Sequence, residues 1–358
     1  MPKQNIWERI NKEVFLIAEL GKNFIQTKDE KPIKVYLENA KKLIRLAKES
    51  GADAVKFQTH NLEDEQLDIN ITSPHFSASD RYNWIKRNTR ATPMEFWQEL
   101  KHYSEKLGII FFSTPMSRGA AKKLEKINVP FWKVGSGDIL DFPMLDFMAE
   151  TKKPIVISSG MSTLEEIDMA IAFLKKRNAR AILLYCVSKY PCPSEELNLK
   201  TIEFFKRRYH VPVGFSDHSL SLESAIAAAN MGAVIIEKHL SLSRDLWGAD
   251  HKVSMTPEEF KKMTKAIRNK KLIKLENYGK KNKILLDGEA VFRPIFRKSL
   301  MAGKNIKRGV ILKKEMVYAM RPQLHAKGIP SENYEKVLGK KIKNDLKKYD
   351  PITWNILE

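Results

Sequence analysis

The sequence predicts an α/β protein built from a (β/α)8 TIM barrel, followed by a small β-rich domain at the C-terminus. Short apolar or β-branched runs alternate eight times with amphipathic helical patterns, at intervals of about thirty residues. Strands that are apolar almost throughout are typical of a parallel sheet covered by helices. Eight strand–helix units favour closure into a barrel. The alternative is an open doubly wound sheet, but no G-x-G-x-x-G motif follows the first strand.

The predicted strands lie, in chain order, at 14–20, 54–60, 109–115, 131–137, 154–160, 181–187, 211–217 and 233–239. The predicted helices lie at 32–51, 92–108, 117–128, 142–152, 163–178, 198–209, 221–232 and 256–271. Several of these helices begin at Ser, Thr or Asp and end at Gly or Asn, which are residues that cap helix termini. We therefore assign residues 1–268 to the barrel.

The remainder of the chain has a different character. Segment 269–290 is rich in Lys and predicts a linker. Residues 291–358 form short pieces separated by Gly, which predicts a small β-containing domain near the lower size limit for independent folding. Such a domain is either a structural appendage or a lid over a pocket.

The composition excludes several classes of protein. The 358 residues carry a net charge of +20, but the lysines are spread over helix faces, so we expect a solvated basic surface and no nucleic-acid partner. No run of eighteen apolar residues occurs, so we expect no membrane partner. Cys186 and Cys192 form neither a disulfide framework nor a zinc motif, which predicts a cytoplasmic protein.

Histidines follow the last two predicted strands. His218 comes directly after strand seven and His239 closes strand eight, and adjacent strands lie about 4.8 Å apart. The carboxyl ends of barrel strands share one face, where active sites are built. Two imidazoles there can bind one Mn, Fe, Co, Ni or Zn ion and leave positions open for water and substrate. The alternative is a pair of core histidines that only satisfy hydrogen bonds.

Two lysines lie within strands that are otherwise apolar. Lys56 and Lys133 must be paired, neutralised or turned toward a ligand, because a buried ammonium group is costly. A salt bridge to Glu19 or Asp138 is one interpretation. The other is a site for phosphate or carboxylate, to which strand-end hydroxyl groups contribute, namely those of Thr114, Ser136, Ser158 and Ser188. Two such lysines on one barrel face favour a small polyanionic substrate.

A series of motifs resembles one enzyme family. The motifs are IAELGKN, VKFQTHNLEDE, FFSTPMS, WKVGSGD, PIVISSGMS, CVSKYPCP, GFSDHS, IIEKHLSLSRDLWGADHKVSM and RPQLHAKGIP. Over about residues 13–340 their order is similar to that of the N-acetylneuraminate (sialic acid) synthase family, which includes legionaminic and pseudaminic acid synthases. The resemblance implies a barrel with a C-terminal antifreeze-like (SAF) domain. It also implies condensation of phosphoenolpyruvate with an N-acetyl amino sugar, such as N-acetylmannosamine, to a nine-carbon 2-keto-3-deoxy acid and phosphate.

The resemblance further implies a divalent metal, Mn²⁺ or alternatively Mg²⁺ or Co²⁺, and a domain-swapped homodimer. The metal ligands would be His218 and His239. The residues that match the phosphoenolpyruvate site are Lys56, Lys133, Gln58, Thr114, Ser136, Ser158 and Ser188. Those that match the acceptor site are Glu19, Tyr190, Asp250 and, from the SAF domain of the partner subunit, Arg321. Asp138 stands where most members carry a catalytic Glu, so Glu19, Asp138, Lys56 and Lys133 are the expected catalytic residues.

The sequence departs from the family pattern near the acceptor site. Phe24 stands where many members have a histidine, and the following loop, 25–32, is longer than usual. The segment 321–330 is also longer than the usual Arg-Pro-Gly turn. The acceptor therefore stays open between N-acetylmannosamine, a 2,4-diacetamido sugar leading to legionaminic or pseudaminic acid, and a phosphorylated sugar. A basic binding protein without catalytic activity is the alternative from another functional class.

Overall fold

The computed structural model describes residues 5–74, 76–274 and 278–358. Eight parallel strands form one sheet, and the eight predicted strands are confirmed to within a few residues. They are β1 (Phe15–Gly21), β2 (Ala54–Thr59), β3 (Ile110–Pro115), β4 (Trp132–Val134), β5 (Ile155–Ser158), β6 (Ala181–Cys186), β7 (Val213–Asp217) and β8 (Ile235–His239).

The sheet returns on itself to form the predicted barrel. Its strand order is β3-β2-β1-β8-β7-β6-β5-β4, and each neighbouring pair in this order is parallel. The two end strands, β3 and β4, pack beside each other, and the rings of Phe112 and Phe131 have centroids 4.5 Å apart. The interior of the barrel is therefore a packed core rather than a channel.

Helices alternate with the barrel strands and bury one apolar stripe each. In the first long helix the buried residues are Tyr36, Ala40, Leu43, Ile44 and Ala47, which recur every three or four positions as an amphipathic helix requires. The helices are α1 (Ile6–Lys12), α2 (Ile33–Glu49), α3 (Leu62–Glu65), α4 (Arg81–Ala91), α5 (Met94–Lys106), α6 (Arg118–Lys126), α7 (Phe142–Glu150), α8 (Leu164–Lys176), α9 (Thr201–Tyr209), α10 (Glu223–Asn230), α11 (Pro257–Arg268), α12 (Asp287–Ala290), α13 (Arg293–Phe296), α14 (Gln323–Ala326) and α15 (Tyr334–Val337).

The connection between β2 and α5 contains an insertion that the sequence pattern did not predict. It consists of α3, an antiparallel pair of short strands (Thr72–Ser73 and Phe76–Asp80) and α4. The short strands lack apolar alternation, which explains why they gave no signal. Trp84 of α4 packs against Phe76 and against Trp247, in the loop after β8, with ring centroids 5.0 and 5.6 Å apart. The insertion, which we call the hairpin insertion (residues 62–91), therefore lies over the carboxyl end of the barrel.

The C-terminal part of the chain forms a small β-containing module that packs on the barrel. β9 (Ser299–Ala302) and β10 (Val317–Met320) are antiparallel, and isolated bridges such as Ile306–Leu346 and Ile342–Leu357 hold the rest. Residues 275–277 of the predicted linker lie outside the described residues, and the domain boundaries at 268 and 290 stay a prediction. None of the helices in the described residues has the length and apolar character needed to cross a bilayer.

Candidate active site

The carboxyl ends of the barrel strands open into a cavity of about 130 Å³. The sequence-predicted residues that line this cavity are Glu19, Lys56, Gln58, Thr114, Lys133, Ser136, Asp138, Ser158, Tyr190, His218, His239, Asp250 and Arg321. Ser188 is fully buried behind the lining, where its Oγ lies 3.8 Å from Cys186 Sγ and its backbone N–H donates to Glu289 Oε1 at 2.8 Å. Ser188 can therefore support the wall of the cavity but does not face it.

Buried carboxylates neutralise the two predicted lysines. Lys56 Nζ lies 2.6 Å from Glu19 Oε2, so the predicted salt-bridge interpretation of this lysine applies. Glu237 lies between the lysines, with its Oε1 atom 3.6 Å from Lys56 Nζ and 3.9 Å from Lys133 Nζ. Lys133 also donates to Ser158 Oγ at 2.7 Å. Two ammonium groups and two carboxylates thus form a compact cluster at the floor of the cavity.

Burial sets the protonation of this cluster. It raises the pKa of Glu19 to about 7, against the opposing attraction of Lys56. Burial favours the neutral form of Glu237 as well, but the attraction of Lys133 and Lys56 outweighs it and lowers the pKa of Glu237. Burial also lowers the pKa of Lys133. Glu19 is therefore a carboxyl group that can gain or lose a proton near neutral pH.

The two predicted metal-binding histidines lie side by side. The ring centroids of His218 and His239 are 5.7 Å apart. His218 Nδ1 lies 2.8 Å from the carbonyl oxygen of Val187, so this nitrogen donates and Nε2 is left as an acceptor. Burial lowers the pKa of His239 to about 3. Burial opposes protonation of His218, but the attraction of Cys186 and the hydrogen bond to Val187 outweigh it and raise the pKa of His218. His239 is therefore neutral, and His218 presents a metal-binding nitrogen in its deprotonated form.

The geometry and donor chemistry of this pair fit a divalent metal ion. Metal–imidazole bonds are about 2 Å long, so rings whose centroids are about 6 Å apart can share one ion. His239 Nδ1 is buried and has no hydrogen-bond partner among the described residues. Among the described residues, no three or more His, Cys, Asp or Glu side chains come together in a way that could hold a metal ion. Water and substrate would therefore supply the other ligands.

Asp138 is held by two cations from the C-terminal module. Arg321 donates to Asp138 Oδ1, and Lys298 Nζ lies 2.9 Å from the same oxygen. Lys298 also pairs with Asp141 at 2.7 Å. Asp138 is therefore committed to an ion-pair cluster that joins the module to the barrel. Arg321 reaches the cavity from the same chain in this structure, and its supply by a partner subunit stays a prediction.

Several cavity residues were not among the predicted site residues. Glu237 had a usable signal, because it precedes His239 by two positions in β8 and so points to the same face of the strand. His60 Nδ1 lies 2.8 Å from Glu65 Oε2, and its Nε2 atom is buried without a hydrogen-bond partner among the described residues. Burial lowers the pKa of His60 to about 4. Arg81 had no signal, since it lies in the unpredicted hairpin insertion.

Phe24, where the family pattern often has a histidine, belongs to the core. It is fully buried and packs against Phe96, Phe57 and Tyr36, with ring centroids 5.3 to 6.2 Å apart. The long loop that follows is held in place by Arg87, which donates to the carbonyl oxygens of residues 27–29. Phe24 therefore contributes apolar packing beneath the loop rather than a polar group to the cavity.

Comparison with known families agrees with the motifs and with the site. The sequence model of the NeuB family matches residues 43–278, and that of the SAF domain matches residues 297–358. The chain belongs to the NeuB family. The C-terminal module of this NeuB-family chain is therefore its SAF domain, and β9 lies at the start of the matched residues.

Named relatives of this NeuB-family chain are sugar-acid synthases. The chain is 32% identical to N-acetylneuraminate-9-phosphate synthase of Homo sapiens, over 96% of this chain and 92% of the human protein. It is 33% identical to a pseudaminic acid synthase of Campylobacter jejuni, over 94% of each chain. Its structure superposes on a spore coat polysaccharide biosynthesis protein of Bacillus subtilis with a TM-score of 0.77 and 26% identity, over 97% of this chain and 95% of that chain.

Proposed function

We propose that this protein condenses phosphoenolpyruvate with an N-acetyl amino sugar and releases a nine-carbon 2-keto-3-deoxy sugar acid and phosphate. The observation that carries this proposal is the convergence, in one barrel cavity, of two buried lysines with two buried histidines that lie side by side. Membership in the NeuB family and the names of its relatives support it. A (β/α)8 barrel alone would not, because this fold serves many unrelated reactions.

The lysine cluster is suited to bind phosphoenolpyruvate. Lys56 and Lys133 can hold its phosphate and carboxylate groups, and the hydroxyl groups of Thr114 and Ser158, which already accept hydrogen bonds from these lysines, can donate to the same anions. Glu19 and Glu237 keep the two lysines neutralised before the substrate binds. The lysines then stabilise the charge that moves from the enol toward the aldehyde.

The histidine pair is suited to the acceptor end of the reaction. His218 and His239 would hold a divalent ion, for which we propose Mn²⁺, and the ion would supply Lewis-acid polarisation of the aldehyde oxygen. The ring of Tyr190 packs on His218 with centroids 4.2 Å apart, which fixes the orientation of that imidazole. The bond forms between C3 of phosphoenolpyruvate and the aldehyde carbon of the sugar.

Glu19 is the better placed general base for the second half of the reaction. Water must add at C2 and lose a proton, after which phosphate leaves. Glu19 has a pKa near neutrality, which suits a group that takes and returns protons. Asp138 is paired with Arg321 and Lys298, so its role is to orient Arg321 at the cavity rather than to accept the proton.

We also propose that the protein acts in the cytoplasm as a homodimer in which the C-terminal module closes the cavity. The contacts of Arg321 and Lys298 with Asp138 support a closing role for the module. Light scattering of the purified protein tests the dimer, and a fully active monomer would contradict it.

The function is tested by a panel of acceptors. Purified protein is supplied with Mn²⁺, phosphoenolpyruvate and one of several sugars: N-acetylmannosamine, its 6-phosphate, and 2,4-diacetamido hexoses. We expect consumption of phosphoenolpyruvate and a product with the mass of the corresponding nine-carbon acid. Lys133→Met serves as the inactive control. If phosphoenolpyruvate is not consumed with any sugar on the panel, and the protein is retained on nucleic acid in a salt-dependent way, the non-catalytic alternative would be favoured.

A further inference from the structure

Arg81 is a buried cation at the cavity that forms no direct salt bridge with another described residue. It is 6% exposed, it begins α4 in the hairpin insertion, and it lines the cavity. Its Nε atom has no hydrogen-bond partner among the described residues, and the carboxylates that attract its guanidinium group, Asp250 among them, form no salt bridge with it there. The neighbouring Asp80 is used otherwise, because it caps α4 by accepting from the backbone and side chain of Asn83.

Lys22 is a second cation of this kind. It is 9% exposed and donates to the neutral amide oxygen of Gln58 at 2.7 Å. Within the described residues it forms no salt bridge, and its Nζ atom lies 6.0 Å from the ring of Trp84. Lys22 and Arg81 line both the main cavity and a side pocket beneath the hairpin insertion, whose walls include Phe76, Ser79 and Trp84.

Lys22 and Arg81 differ from the other cations at the cavity because they form no salt bridge among the described residues. Lys56, Lys133 and Arg321 each lie within 4 Å of a carboxylate oxygen. A buried charge without such a partner is costly, and natural proteins pair it with an opposite charge or with a ligand. The guanidinium group is also held in place from one side, since its carbon atom lies 4.6 Å from the centroid of Phe296. Asp250 attracts both Lys22 and Arg81 without forming a direct ion pair with either among the described residues, so both cations keep room for an anion from a ligand.

The position of the pair identifies which substrate carries that anion. Lys56 and Lys133 lie within β2 and β4 at the floor, where they suffice for the two anionic groups of phosphoenolpyruvate. Lys22 lies beyond the end of β1, and Arg81 lies in the hairpin insertion above the mouth. An anion between them would belong to the part of the acceptor that is remote from its aldehyde.

We propose that the acceptor is a phosphorylated N-acetyl amino sugar, whose terminal phosphate binds between Arg81 and Lys22, so that Arg81 determines acceptor specificity. This inference rests on the proposed function. Two fixed monovalent cations match a phosphate dianion, and the planar guanidinium group can bind two of its oxygens at once. A carboxylate at the same end of the sugar shares this chemistry, and the experiment separates the two.

The test compares acceptors that differ only at this end of the sugar. With Mn²⁺ and phosphoenolpyruvate, the intact protein is given N-acetylmannosamine, its 6-phosphate or the corresponding uronic acid. We expect kcat/KM for the phosphate to exceed that for the unmodified sugar by about 100-fold, the usual scale for a buried ion pair. Equal or better use of the unmodified sugar or the uronic acid would overturn the inference but leave the proposed function standing. If no acceptor is used, the proposed function itself fails.

Variants of Arg81 provide the second arm. Arg81→Gln should lower kcat/KM for the phosphorylated acceptor by about 100-fold, with little change for the unmodified sugar and none in KM for phosphoenolpyruvate. Arg81→Lys should restore part of the loss. Arg90→Gln, on the same helix but exposed and paired with Glu30, is the matched control and should behave as wild type. A rise in KM for phosphoenolpyruvate instead would show that Arg81 serves the other substrate.

Thermal melting with and without ligand needs no turnover, so it distinguishes loss of ligand binding from misfolding of a variant. Arg81→Gln should keep a Tm close to that of wild type, because it removes a buried charge that forms no direct ion pair. The 6-phosphate alone should raise the Tm of the wild type and of Arg90→Gln, but not that of Arg81→Gln or Lys22→Met. An equal shift in all four proteins would overturn the inference.

Discussion

At the scale of single residues, the cavity is organised by which charges neutralise one another. Glu19 pairs with Lys56, Glu237 lies between Lys56 and Lys133, and Asp138 holds Arg321. Burial raises the pKa of Glu19, whereas the attraction of Lys133 and Lys56 outweighs burial and lowers the pKa of Glu237. The chemistry of the site follows from these neighbours more than from the residue types alone.

Glu19 should give the reaction a rising limb in its pH profile. The pKa of Glu19 in the free protein is raised to about 7, and a general base works in the deprotonated form, so kcat/KM should increase with pH through about 7. Glu19→Gln should lower kcat by about 100-fold or more and remove this limb. Steady-state rates between pH 5.5 and 8.5 measure both effects. A Glu19→Gln variant with the wild-type rate and profile would exclude Glu19 as the base.

His218 should be required for metal retention as well as for activity. His218→Ala removes one of two protein ligands, so the variant should lose its divalent ion on dialysis, as measured by elemental analysis, and should lose turnover. Chelation of the wild type should abolish activity, and Mn²⁺ should restore it. His102→Ala, at an exposed position of α5, is the control. If His218→Ala kept both its metal and its turnover, the metal role would be wrong.

At the scale of elements, close approach of the strand ends explains a glycine. After β5, a Cβ atom on Gly160 would lie 2.6 Å from Ser136 Oγ and 2.7 Å from Cys186 Sγ, and closer still to Ser188 Oγ. Real Cβ contacts are not this short, so the three strand ends can converge only if this position has no side chain. The lack of a side chain at Gly160 thus allows the hydroxyl groups of Ser136 and Ser188, which follow β4 and β6, to lie close together.

Gly160→Ala should therefore disturb the phosphoenolpyruvate site. We expect a loss of about 1–3 kcal/mol in stability, as for other overpacked positions, and a rise of at least about 10-fold in KM for phosphoenolpyruvate. Chemical denaturation and steady-state kinetics measure the two effects. Gly288→Ala is the control, because its Cβ would meet only the flexible side chain of Lys189. An unchanged KM in Gly160→Ala would show that the strand ends are less tightly coupled than this packing indicates.

At the scale of the whole molecule, the C-terminal module and the barrel share a buried ion-pair cluster. Lys298 from the module pairs with both Asp138 and Asp141 of the barrel, and all three side chains are almost completely buried. Ser331 Oγ adds a hydrogen bond of 2.8 Å to the carbonyl oxygen of Leu140. The module is thus attached through charges that open into the cavity, so attachment and activity should be lost together.

Lys298→Met should uncouple the module from the barrel. The substitution leaves two buried carboxylates with one cation fewer, a change that typically costs about 3–5 kcal/mol. Thermal unfolding should show a lower Tm, and turnover should fall because Asp138, the partner of Arg321, loses one of the two cations that hold it. Lys307→Met, which breaks an exposed pair with Asp345, should leave the Tm close to that of wild type. Equal effects of the two substitutions would contradict a special role for the buried cluster.

The sequence by itself determined the eight strands, the barrel and the face on which the site would form. Apolar runs and helical periodicity report burial, and every parallel strand of a barrel delivers its carboxyl end to the same face. For that reason Lys56, Lys133, His218 and His239 could be assigned to one site before any distance was known. Family motifs added the expected roles of these residues, which stay predictions.

Only the tertiary structure decided which charges meet. Glu237 faces the lysines because β8 is next to β1 in the closed sheet. Asp138 is paired with Lys298 and Arg321, which lie more than 150 positions away from it in the chain. Arg81 lines the cavity because the hairpin insertion, whose sequence has no regular apolar pattern, folds over it. Periodicity encodes which side of an element is buried, whereas ion pairing depends on distances between elements that are remote in sequence.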